Sequence, residues 1–313
     1  MSMTLSDAAV LSQDMLVKGI IETLIKESPI LPRLSFQEVE GTAYTVTRED
    51  KDNMGTVHWR QVNGVWTEST AKYDEKNFHL MRLGEDAVVD NFLQQTQSDR
   101  YQLMAQQVQA KSRLMAHAFD AAAIYGNEDA YEPDGFHTMV DDNDSTFDVS
   151  VHCGSGATGG PLSIAKLEEA IDKMLVGPPT FALMNRTIRR RFDAYLRSKA
   201  SYQVERDEWG RRVTMYADFP ILTSDHLLQT EAISSGAYSA KTGGETSSVF
   251  LVYASAPDGV HGIQNKGIQY ETWDKLETAD GGKTRIKWYV SLAQGSPYSV
   301  VRIDGITDAA VTD

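Results

Sequence analysis

The sequence predicts an α+β chain carrying long appendages, and three observations support that prediction. An alternating stretch, Ala43 to Arg48, is followed by a polar tip and a second alternating run, Thr56 to Val62, closed by Asn63-Gly64. That is the pattern of a β-hairpin. One helix-periodic segment runs unbroken to Tyr125. Helix and strand signals then alternate through the second half, and the chain closes in β.

The elements follow in order. Leu5 to Glu27 is a predicted helix, with Val10, Met15, Val17, Ile20, Ile21, Leu24 and Ile25 at helical spacing. Ser6 is its candidate cap, and Ser28-Pro29 stops it. Pro32 keeps the following Ile30 to Phe36 extended, so the helix reads as an arm on a strap, with Val17, Ile20, Ile21 and Leu24 facing a neighbouring subunit. The hairpin comes next. It carries Trp59, Trp66 and Tyr73 among many charges and has no core of its own. A two-stranded hairpin is marginal in water unless something covers it. The tip, Asp50, Lys51, Asp52, Asn53, Met54 and Gly55, is therefore expected to touch another subunit. Lys76 to Val89 reads as one or two strands returning to a domain.

A helix opening at Asp90 or Ser98 holds its periodicity through Leu93, Tyr101, Met104, Val108, Met115, Phe119 and Ala122, and Gly126-Asn127 ends it. Residues 127–148 contain eight acids and no Lys or Arg, and read as an acidic loop. A second domain is expected to follow. It has strands at Phe147–Cys153, Phe181–Met184, Val213–Tyr216, Ile221-Leu222 and Val249–Tyr253, and helices at Ser163–Leu175 and Arg186–Lys199. The closing strands are Gly267–Trp273, Thr284–Leu292 and Tyr298–Ile303.

Composition bounds the function. At 313 residues, 41% hydrophobic and 24% charged, the chain can bury a substantial core. No run reaches the roughly 18 apolar residues of a membrane span, and the N-terminus lacks signal-peptide features. A single cysteine, Cys153, excludes an intrachain disulfide and fits a reducing cytoplasm. A net charge of −14 argues against tight nucleic-acid binding but suits a wall that must not adhere to it.

No motif assembles catalytic chemistry. Gly154 to Gly159 is a literal G-x-G-x-x-G after a strand, but Gly160-Pro161 delays the helix, and the next strand ends in Met184-Asn185 with no acid for a ribose. Asp141-Asp142-Asn143-Asp144 lacks the Gly and Glu of a calcium loop. Cys153 and His152 are adjacent on a strand and point to opposite faces. The histidines show no metal-ligand spacing, so no catalytic residue, cofactor or metal is expected. Arg186, Arg189, Arg190 and Arg197 stand in a basic run, read as a salt-bridged subunit contact, a polyanion contact or a solvated helix face, the subunit contact being favoured.

The order of elements resembles that of the major capsid proteins of tailed bacteriophages, whose fold is named after phage HK97. The local wording is similar through nearly the whole chain: LSQDMLVKGIIETLIKESPILPRLSF, TVHWRQVNGVWTEST, EPDGFHTMV, FALMNRTIRRRF, FPILTSDHL, GVHGIQNKGIQYE and IKWYVSLAQGSPYSVVRIDGI. The resemblance implies an N-terminal arm over residues 1–42 and an E-loop over 43–75. It implies a P-domain with spine helix and acidic loop over 76–151, an A-domain over 152–256, and P-domain return strands over 257–313. It further implies self-assembly into pentamers and hexamers of an icosahedral virion capsid, formed in the host cytoplasm around double-stranded DNA without sequence-specific binding. Expected partners are a separate scaffolding protein (the chain begins at the arm), a portal and a decoration protein, and no membrane. Relatives that cross-link join an E-loop lysine to a C-terminal asparagine. Lys51 and Lys72 are present here, but no asparagine follows Asn265, so no cross-link is expected. An encapsulin-type nanocompartment shell, another virion protein, and a soluble cofactor-binding enzyme using Gly154–Gly159 stay open as alternatives.

Overall fold

The computed structural model describes residues 3–4, 15–49, 57–66, 68–70, 72–92, 100–154, 159–199, 203–206, 212–231, 244–273 and 280–313. Two sheets and a separate ribbon organise them. Strands β1 (Met3–Thr4), β2 (Ser35–Glu38), β5 (Met81–Asp90), β12 (Val260–Trp273) and β13 (Gly281–Gln294) form a five-stranded sheet in the order β1-β2-β12-β13-β5. Strands β3 (Ala43–Glu49) and β4 (Tyr73–His79) form the ribbon. The seven-stranded sheet has the order β6-β14-β11-β7-β10-β9-β8. Its members are β6 (Ser150–His152), β7 (Phe181–Met184), β8 (Gln203–Arg206), β9 (Arg212–Tyr216), β10 (Phe219–Thr223), β11 (Ser247–Val252) and β14 (Val300–Ile306).

The N-terminal helix, α1 (Met15–Glu27), belongs to the core, not to a detached arm. Ile20, Ile21, Leu24 and Ile25 form one buried stripe. Its partner is the long helix α2 (Arg100–Tyr125), which supplies Val108, Met115, Ala116 and Phe119 to the same cluster. The strap is tied down as well: β2 pairs parallel with β12, Phe36 opposite Gly262. A Cβ at Gly262 would lie 2.3 Å from the Phe36 ring, so only glycine leaves room for it. Phe36 and Phe119 pack against Trp288 of β13 with ring centroids 5.5 and 5.6 Å apart. Once helix, strap and strand each had a partner in the same chain, the stripe no longer needed a neighbour.

The ribbon differs from the predicted hairpin. Ala43–Glu49 pairs antiparallel with Tyr73–His79, Ala43 opposite His79 and Glu49 opposite Tyr73. The expected partner, Thr56–Val62, contains no strand among its described residues. Asn63-Gly64 forms only a local turn, with Asn63 at φ 66° and the Gly64 N–H donating to the Gln61 carbonyl at 3.1 Å. Pairing with β4 wins because both ends of the ribbon then reach core. Phe78 is buried with Ile263 and Ala293, and Arg48 donates to the Gln294 carbonyl at 2.6 Å and to Gly295 O at 3.3 Å.

Helix α2 has 26 residues, about 39 Å of rise. Gly126 ends it where the chain doubles back. A Cβ there would lie 2.1 Å from the Pro133 carbonyl oxygen. The acidic stretch after it is not a loop throughout: Phe136–Phe147 is helix α3. Phe136, Met139, Val140 and Asn143 fall on one buried face, a stripe that the acids around it obscure. The outward acids meet cations elsewhere, Asp142 with Lys76 at 2.7 Å and Asp148 with Lys173 at 2.8 Å.

The seven-stranded sheet is covered on both sides. Phe181 and Leu183 of β7 join the cluster containing α3, while Ala182 and Met184 join the cluster of α4 (Ile164–Asp172) and α5 (Arg186–Ser198). That is the alternation expected of a buried strand. The closing strands divide between the two sheets. Strands β12 and β13 return to the five-stranded sheet as expected, but β14 pairs antiparallel with β11 and parallel with β6. All seven of its residues are buried. One face, with Val301 and Ile303, packs into the cluster of α4 and α5, and the other carries Arg302 and Asp304, whose partners Glu231, Ser248 and His152 lie beside this sheet.

Candidate assembly surfaces

The most exposed apolar surface lies beyond the ribbon. Val57, Trp59, Val62 and Val65 are at least 91% exposed, and Trp66 is 62% exposed. Arg60 stacks over Trp66 at 4.9 Å and donates to the Gly64 carbonyl at 2.8 Å, a contact within the segment itself. Full burial of such aromatic or branched side chains contributes about 1.5–3 kcal/mol each. Such a concentration of exposed apolar side chains among the described residues is a candidate docking surface. The predicted contact residues Asp50 to Gly55 lie outside the described residues.

The other predicted contacts separate in the structure. Ile20, Ile21 and Leu24 are buried within the chain, so their side chains are not available to a neighbour. Val17 is half-buried at the edge of that cluster. The basic run is largely answered by the chain's own acids. Arg186 pairs with Asp225, Arg189 with Asp193 at 3.6 Å, and Arg190 and Arg191 with Asp308 at 3.5 and 2.7 Å. Arg197 lies in the last turn of the same helix. Asn185 caps the first turn, accepting from the Thr187 N–H at 3.0 Å. The run therefore offers a neighbour mixed charge instead of a bare cationic stripe.

Cys153 and His152, adjacent in the sequence, have separate surroundings. Cys153 is 1% exposed, and burial pushes its thiol up to about 11, so no thiolate forms near neutrality. His152 turns instead to Asp304, at 2.5 Å. Gly154 and Gly159, at φ +92° and +67°, serve close backbone approach. A Cβ on Gly154 would sit 2.3 Å from the Gly159 carbonyl carbon, and one on Gly159 would sit 2.3 Å from the Gly305 oxygen. Residues 155–158 lie outside the described residues. Among the described residues no three His, Cys, Asp or Glu side chains gather as a metal site, and no helix is long and apolar enough to cross a membrane.

A buried polar cluster escaped the sequence reading. Arg302 and Glu231, 2% and 3% exposed, pair at 3.0 Å. Ser248 accepts from the Arg302 Nε–H at 2.8 Å. The Tyr125 hydroxyl, at the end of α2, donates to Glu231 and accepts from the Leu228 N–H at 3.1 Å. Burial, then Glu231, pushes the Tyr125 phenol up. Asp141 of α3 comes within 3.6 Å of Arg302. The cluster ties α2, α3 and the seven-stranded sheet together. Its signal was the lone charge in Val300-Val301-Arg302-Ile303.

No protein-family model and no curated protein matches the sequence. Solved structures do. The holo-SrpI encapsulin complex from Synechococcus elongatus is similar at 14% identity, over 91% of this chain and 91% of that one, with TM-score 0.65. A chain of Mycobacterium phage Bobi is similar at 12% identity over 96% and 98%, TM-score 0.58. The capsid of a native GTA particle is similar at 14% identity over 94% and 93%, TM-score 0.56. The arrangement of a β ribbon, a long helix with return strands and an α/β sheet domain, together with these likenesses, defines an HK97-like fold.

Proposed function

We propose that this chain is the major capsid protein of a tailed phage, assembling through itself into pentamers and hexamers of an icosahedral head that encloses double-stranded DNA. The observation that carries the reading is the exposed apolar segment Val57 to Trp66, which lies between the two ribbon strands β3 and β4 in the chain. Rings close through heterologous contacts, each subunit laying one surface on the next. Modest contacts repeated around a ring sum to a stable shell. The net charge of −14 suits a container for a polyanion, because few phosphate contacts would hold the DNA to its wall. The role is structural, without catalysis. Portal, scaffolding and decoration proteins are the partners this reading brings with it.

A second reading, the shell of an encapsulin-type compartment, is favoured by the likeness to the encapsulin at TM-score 0.65. Particles isolated from the producing cells separate the two. Nuclease-resistant double-stranded DNA inside them supports the phage head, and protein cargo without DNA supports the compartment. Within either reading, replacing Trp59 and Trp66 by serine is expected to abolish particles while leaving a folded subunit. Normal particles from that variant overturn the role given to the segment.

A further inference from the structure

The joint between α1 and α2 holds an acid that no ion pair explains. Asp120 on α2 is 1% exposed, and Ser28, at the end of α1, is 0% exposed. The Ser28 hydroxyl donates to Asp120 Oδ1 at 2.5 Å, and its oxygen accepts from the N–H groups of Ile30 and Leu31 at 3.2 and 3.1 Å. One hydroxyl thus fixes the turn out of α1 and fastens that turn to α2. The surrounding cluster is apolar: Leu24, Ile25, Ile30, Leu31, Ala116 and Phe119 are all buried.

The charges on the packed elements are engaged with one another or face water. On α2, Arg113 meets Glu27 of α1 at 3.4 Å, Lys111 meets Glu85 of β5 at 2.8 Å, and His117 meets His226 at 3.4 Å. On α1, Lys18, Glu22 and Lys26 are exposed, and Arg33 on the strap is half-buried. Beneath α2, Lys283 and Arg285 of β13 close on Asp86 of β5, and Lys287 pairs with Glu271 of β12. On α3, His137 pairs with Asp141 at 2.9 Å.

We propose that Ser28 and Asp120 form a proton-operated latch: the protonated carboxyl closes the N-terminal helix onto the spine helix, and the ionised one loosens it. Burial, opposed by the Ser28 hydroxyl, raises the Asp120 carboxyl to about 7, which places the change near neutrality. The sign follows from linkage. An acid whose folded value is raised holds its proton more tightly when closed. Closure is strongest near the unfolded value of 3.8, weakens as pH rises towards 7, and is level above it. The latch is a property of the subunit and holds whichever shell it builds.

The test is amide hydrogen exchange over residues 20–31 of the full-length subunit from pH 5 to 8.5, corrected for intrinsic rates. Opening of this joint is expected to increase about tenfold per pH unit up to about pH 7 and then level off. Asp120→Asn keeps an acceptor for Ser28 and cannot ionise, so its protection is expected to stay flat. Ser28→Ala keeps the acid but removes its donor, so the levelling point is expected to move to higher pH. Flat protection in the wild type, or the same pH dependence in Asp120→Asn, overturns the latch. Should Asp120→Asn fail to fold, an unmoved levelling point in Ser28→Ala overturns it instead.

Discussion

Truncating Leu24 to alanine tests whether the N-terminal helix belongs to its own subunit. The side chain is wholly buried and shares a cluster with Met115, Ala116 and Phe119 of α2. Removing about three methylene equivalents at about 0.8 kcal/mol each costs roughly 2.4 kcal/mol of transfer free energy. A cavity term of about 24 cal/mol per Å³ adds to that, and measured Leu→Ala losses span about 2–5 kcal/mol. Phe119 is braced by Trp288 at 5.6 Å, and α1 is fastened at both its strap and Ser28. The site therefore collapses little, and a loss of about 3–4 kcal/mol is expected. Against a typical domain stability of about 5–15 kcal/mol that is a large fraction. Urea unfolding of the unassembled subunit, followed by tryptophan fluorescence, reads it as a fall in midpoint at constant slope. Lys18→Glu on the exposed face is the control and is expected to change little. A loss below about 1 kcal/mol for Leu24→Ala, with assembly abolished, would refute the reasoning, because the helix would then be packing on a neighbour.

Other perturbations read other parts of the account. Arg302→Met leaves Glu231 buried without its cation and is expected to cost about 3–5 kcal/mol, with part recovered in Arg302→Met/Glu231→Leu; calorimetry of the three variants shows whether the pair is coupled. Hydrogen bonding from Arg285, with help from Lys283, holds Asp86 at about 2, below the usual 3.8. Its contribution is therefore present above about pH 4 and is lost as pH falls towards 2. Solvent screening keeps it under about 1 kcal/mol, so Asp86→Asn should flatten the acid limb of the stability curve only slightly, and an unchanged limb removes the pair from the account. Boiled particles should give a single band near 34.7 kDa, since no asparagine follows Asn265; a ladder of larger species would show a cross-link of another kind.

Much of the fold was legible because its signals are local. The long helix showed in the spacing of Val108, Met115, Phe119 and Ala122, and its stop in Gly126. The strand Phe181–Met184 showed as a short apolar run, as did Val249–Tyr253, observed as Ser247–Val252. What failed depended on partners distant in sequence. The run Ala43–Arg48 cannot say which later segment will pair with it, and Tyr73–His79 shows no apolar alternation to announce itself; burial of Phe78 against Ile263 and Ala293 goes with the observed pairing. The stripe on α1 looks the same whether a neighbour or the chain's own spine covers it. In α3 the acids masked a buried face, and β14 pairs with β6 and β11, where Arg302 and Asp304 meet Glu231 and His152 from distant parts of the chain. Of the candidate contacts, the exposed tryptophans were visible as residues without a core. The answered charges of the basic run were not, because Asp225 and Asp308 lie far along the chain from the arginines they meet.

Electron microscopy of the purified protein at high concentration tests the central claim most directly. The account predicts hollow closed shells, or free rings of five and six subunits, for the wild type, and neither for Trp59→Ser/Trp66→Ser. A wild-type protein that stays monomeric or dimeric at every concentration, with scaffolding protein supplied, would contradict it.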